Sequence, residues 1–74
     1  MKLIQTVDGQ AVTLTQQIAC VSREIAMRKR CYPNWIARGT MQQAKADDEI
    51  RSMTAVLQTL KQVEEEHGEK GLGL

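Results

Sequence analysis

Apolar side chains recur at alternating spacings of four and three residues in two separate stretches. The first holds Leu14, Ile18, Val21 and Ile25; the second holds Ala46, Ile50, Met53, Leu57 and Leu60. That period places each set on one face of a helix, and a 3-4 alternation is the seam pattern of helical bundles. Ala19, Ala26 and Met27 widen the first stripe, and Val56 and Val63 widen the second. The pattern predicts a mainly α chain: an antiparallel two-helix hairpin that assembles into a helical bundle.

The helix limits are read from end signals. Thr13-Leu-Thr-Gln16 fits a capping box, and Thr40-Met-Gln-Gln43 repeats it directly after Gly39. Pro33 disfavours helical geometry at the residue before it, Tyr32. Helix one is therefore expected over 13–31, a corner over 32–40 and helix two over 41–67, with Gly68 as its stop. Residues 1–68 form a single domain on this reading, and 69–74 a flexible tail. Asp8-Gly9 suits a type I′ turn between two short runs rich in β-branched residues. Residues 1–12 thus read either as a β-hairpin or as a disordered arm.

Antiparallel packing with these limits brings Arg23 near Asp47 or Asp48 and stacks Ile25 and Val21 on Ile50 and Met53. Helix one would be about 25 Å long and helix two about 40 Å. Such an overhang leaves Leu57, Leu60 and Val63 poorly covered. A homo-oligomer is the expected remedy, with Ile50, Met53, Leu57, Leu60 and Val63 as its interface. Oligomerisation also suits a chain of 74 residues, since so small a core is marginal by itself.

Composition excludes several function classes. Two cysteines eleven residues apart and one histidine, His67, do not make a zinc site, which wants four close ligands. Cys20 and Cys31 are expected as small buried hydrophobes. No nucleophile has a histidine near it in sequence, and no glycine-rich phosphate loop is present. The reading is no enzyme, no metal and no cofactor. The opening MKLIQTVDG has no signal-peptide core, and no stretch approaches the roughly 20 apolar residues of a membrane span. A cytoplasmic location without membrane contact is expected.

Net charge is +1, but its distribution is uneven. The run MRKRCYPNWIARG carries the densest positive charge beside the single Tyr, Pro and Trp of the chain. Tyr32 and Trp35 suit a structural corner, where amphipathic rings close a hairpin core. Trp, Tyr and Arg are also the residue types of interface hot spots. Arg28, Lys29, Arg30, Tyr32, Trp35 and Arg38 are therefore the candidate site for a protein partner. The alternative is a small nucleic-acid-binding accessory protein using segment 28–38, with Trp35 stacking on bases and the basic side chains on phosphates. A helix-turn-helix reader fits poorly, because the connection is too long and the second helix soon turns acidic.

Residues 23–53 carry one further signal. Arg23 to Arg28, Tyr32, Pro33, Trp35, Gly39, Lys45, Ala46, Asp47, Glu49, Ile50 and Met53 match a recurring pattern. The segment resembles short, uncharacterised phage and prophage proteins that share REIAMR, then YPxW, a glycine, and KAD with Glu-Ile behind. Cys31 stands where that pattern favours a β-branched residue. The resemblance implies a phage origin, hence the host cytoplasm, and no particular mechanism. Small phage proteins without catalytic sites often bind and block a host protein, an analogy of class only. The expected function is thus a self-associating, non-enzymatic binder of a host protein partner, such as an enzyme or a defence component.

Overall fold

The computed structural model describes residues 4–67. Two short strands, β1 (Ile4–Val7) and β2 (Gln10–Thr13), lead into two helices of 24 residues each, α1 (Leu14–Ala37) and α2 (Gln43–Glu66). The helices pack on each other as a hairpin. Asp8 and Gly9 lie at φ 51° and 79°, which is the pair of positive values a type I′ turn demands. β1 and β2 pair antiparallel in the register Val7↔Gln10, Thr6↔Ala11, Gln5↔Val12 and Ile4↔Thr13. Of the two readings of the N-terminal segment, the β-hairpin is the one observed over the described residues.

β2 runs straight into α1 through the expected capping box. The Gln16 amide donates to Thr13 Oγ1 at 3.1 Å, and the Thr13 amide donates to Gln16 Oε1 at 2.8 Å. Leu14 and Ile25 are buried and Ile18 and Val21 half-buried, so the four-three series does face the neighbouring helix. The stripe is narrower than expected. Ala19, Ala26, Met27 and Val56 are exposed. Cys20 is exposed as well, not buried, because five residues from Ile25 is a rotation of about 140° away from the core.

Helix one does not stop at Cys31. It continues through Pro33 to Ala37, so the expected corner at 32–40 shrinks to the segment 38–42. Proline inside a helix removes one hydrogen bond and crowds the preceding turn, at about 3 kcal/mol. The extra turn and a half offsets this by burying Tyr32 and half-burying Ile36, and it gains a defined end. Gly39 sits at φ 80°; its amide donates to the Ile36 carbonyl and the Thr40 amide to the Trp35 carbonyl, both at 3.0 Å. That pair of bonds is a Schellman motif with glycine at C′. The Thr40 hydroxyl also donates to the Trp35 carbonyl, at 3.0 Å. Thr40 therefore closes α1 and does not open α2, contrary to the second capping box expected at Thr40–Gln43. The residue before α2 is Gln42, which makes no side-chain cap.

The longer α1 shifts the pairing of the two helices. Thr15 donates to Glu64 at 3.4 Å near the open end, and Tyr32 lies across from Ala46 near the closed end. Ile25 thus falls opposite about residue 53, one turn beyond the expected Ile50. Arg23 is carried away from Asp47 and Asp48, and Asp48 pairs instead with Arg51 of its own helix at 2.7 Å. The expected overhang is also gone, because the two helices are equal in length. Ile50, Met53, Leu57, Leu60 and Val63 are all half-buried along the side of α2 that carries the buried Ala46.

Among the described residues only Leu14, Ile25, Tyr32 and Ala46 are buried. The chain measures 47 × 29 × 16 Å with a radius of gyration of 15.5 Å, against about 11 Å for a compact chain of this length. A thickness of 16 Å is about one and a half helix diameters. The fold is a single layer. Most domains bury their apolar faces between two layers.

Candidate protein-binding site at the closed end of the hairpin

The Schellman turn fixes Trp35 two positions before the end of α1, and Pro33 and Ile36 on the opposite flank. Tyr32 is 7% exposed and fills the space between the helices, whereas Trp35 is 42% exposed. Their ring centroids are 5.5 Å apart at 38°, a tilted contact of the favourable aromatic kind. Of the two rings expected to close a corner, Tyr32 does so from within the helix. Trp35 leans on it and keeps much of its surface open.

Hollows flank the indole. One, of about 390 Å³, lies between Trp35, Thr40, Met41, Gln42 and Lys45. The other, of about 260 Å³, is lined by Met27, Arg28, Cys31, Tyr32 and Trp35. An open groove of about 620 Å³ runs along the other side of the hairpin. Pro33, Ile36, Ala46 and Ile50 form its apolar part, and Lys29, Asp47 and Arg51 carry its charge. The groove thus has an apolar centre with charged margins.

The basic side chains do not form one patch. Arg28 is half-buried and donates to Glu24 Oε1 at 2.5 Å. Hydrogen bonding to that carboxylate raises the arginine above its ordinary pKa. Lys29 and Arg30 are exposed and have no ion-pair partner among the described residues. Because α1 continues through them, residues 28, 29 and 30 leave the axis about 100° apart and face three directions. Arg38, exposed, supplies the backbone cap of α1, its amide donating to the Asn34 carbonyl at 3.0 Å.

The structure therefore brings Arg28, Tyr32 and Trp35 together around one hollow and turns Lys29 and Arg30 to other sides of the helix. Sequence reasoning missed Met27, Met41 and Lys45 as companions of Trp35. A helix reading of 32–37 would have found Met27, Cys31 and Trp35 on one stripe at four-residue spacing. Among the described residues, no group of three His, Cys, Asp or Glu could hold a metal ion. Nor is any helix there long and apolar enough to cross a membrane. Compared with known proteins, the chain matches no family model, no curated protein and no solved structure.

Proposed function

We propose that this is a small, non-enzymatic phage-type protein of the host cytoplasm that self-associates and uses the closed end of its hairpin to bind a host protein. The observation that carries this reading is Trp35, 42% exposed between two apolar hollows on a rigid helix end. Aromatic anchors beside apolar pockets are where binding energy concentrates in interfaces. The phage origin rests on the resemblance of residues 23–53. Inhibition of a host enzyme or defence component is the mode that this class of protein suggests. The spread of Arg28, Lys29 and Arg30 around the helix disfavours the nucleic-acid alternative, which needs several cations along one track.

The test is capture from host lysate with wild-type protein and with Trp35→Ala in parallel. Capture of one defined protein, weakened at least tenfold by Trp35→Ala while circular dichroism stays helical, is the expected result. Equal capture by both would remove the tip from the reading. Tight, salt-sensitive binding of DNA or RNA would promote the nucleic-acid alternative.

A further inference from the structure

We propose that the outer edge of β1 is the self-association surface, pairing antiparallel with β1 of a second copy to make a four-stranded sheet. The inference deepens the proposed self-association by naming the surface that carries it.

The hydrogen-bond phase of the hairpin selects the groups. In a two-residue type I′ hairpin the pair closing the turn, Val7↔Gln10, exchanges hydrogen bonds, and bonded and non-bonded pairs then alternate. Gln5 and Val7 therefore point their amides and carbonyls at β2. Ile4 and Thr6 point theirs outward, and no described residue meets them. The opposite edge is already in use at its base, because the Thr13 amide is held by Gln16 Oε1 at 2.8 Å. One edge is closed in part and the other open.

Nothing along β1 defends that open edge. Protected edges carry a lysine, a proline, a bulge or a covering element; Ile4–Val7 reads IQTV, is exposed throughout and pairs in unbroken register. An isolated two-stranded ribbon is also marginal in water. Here the helices support it only at its root, where Val12 and Thr13 are half-buried, while Ile4 and Val7 are 45% and 56% exposed.

A second copy fits because an antiparallel edge is its own complement. Centring the pairing on Gln5 sets Ile4 against Thr6 of the other copy and Thr6 against Ile4. Both outward residues then exchange hydrogen bonds, and the two Gln5 side chains meet on the two-fold axis as a non-bonded pair, close enough for their amides to bond. The uncharged strand puts no like charges opposite each other. So short an interface belongs to the weak, concentration-dependent class.

The experiment follows the full chain by sedimentation and by NMR amide exchange from about 10 to 500 μM, a range suited to a weak interface. The Thr6 and Ile4 amides should become protected as the dimer forms, while the Gln5 and Val7 amides stay protected throughout. Thr6→Pro deletes an outward amide without touching the hairpin ladder. It should weaken dimerisation at least tenfold, whereas Ala11→Pro, its counterpart on β2, should leave it unchanged. A dimer that forms with Thr6 still exchanging freely would overturn the edge and leave self-association standing. A monomer at every concentration would overturn both. Thr6→Pro removing a captured host protein, with no dimer seen, would assign the edge to a foreign strand and also overturn the proposal.

Discussion

Tyr32 and Trp35 are three residues apart on one helix, yet they have opposite energetic roles. Tyr32, 7% exposed, holds the closed end of the hairpin. Its replacement by alanine removes a buried ring and leaves a cavity, at about 3 kcal/mol or more, a large part of the stability of so small a domain. Trp35→Ala should cost only about 1 kcal/mol, since the indole already faces water over much of its area. Urea unfolding of the two variants checks the order; a larger loss from Trp35 would make it the structural ring. Gly39 supports a third expectation. A Cβ there would meet nothing within 4 Å, so Gly39→Ala carries only the strain of φ 80°, about 1 kcal/mol. Gly39→Asn should cost less, because asparagine tolerates the left-handed region.

At the scale of the element, Pro33 separates a corner from a helix. Pro33 is exposed and occupies a helix interior that would accept an ordinary residue. Pro33→Ala should restore the amide bond to the Lys29 carbonyl and raise stability by about 1–3 kcal/mol, read as a higher thermal midpoint. Were residues 32–40 a true corner, the same change would be neutral or harmful. The start of α1 gives the opposite sign: Thr13→Ala breaks the capping box and should cost about 1 kcal/mol. Because Thr13 is also the last residue of β2, the loss should loosen the hairpin root, visible in the amide shifts of Gln5 and Val12. α2 lacks such a cap at Gln42, so fraying should begin at its first turn.

Over the whole molecule, the thin single layer governs behaviour. The apolar seam of α2 is matched along its length by α1, which reassigns Leu57. Leu57→Lys now places a charge in the intramolecular seam, so it should unfold the hairpin rather than release intact monomers. Circular dichroism distinguishes the two. The charge pattern also acts at this scale. Changing Arg28, Lys29 and Arg30 to glutamine should leave the unfolding midpoint nearly unaltered, since the one ion pair lost, to Glu24, is half-exposed and such pairs contribute little. If those side chains did track a phosphate backbone, oligonucleotide binding would fall with a log-log salt slope of roughly −3. No such binding is expected at physiological salt.

Local chemistry determined the hairpin turn at Asp8-Gly9, the cap at Thr13 and Gln16, and the two helical faces beginning at Leu14 and Ala46. Each depends on residues within four positions of one another, so each is legible in the chain. The same local logic misread Pro33 and Thr40, because a proline penalty of about 3 kcal/mol is decided against burial of Tyr32 and Ile36 on a helix far away in sequence. Only the tertiary structure could weigh those terms. Once it extended α1, everything dependent on length changed with it: the pairing register, the cover over Leu57 and the direction of each basic side chain. The candidate site was half legible for the same reason. Composition identified Trp35 and Tyr32, but which ring faces water follows from their phase against α2, and the open edge of β1 follows from which amides the hairpin has already used.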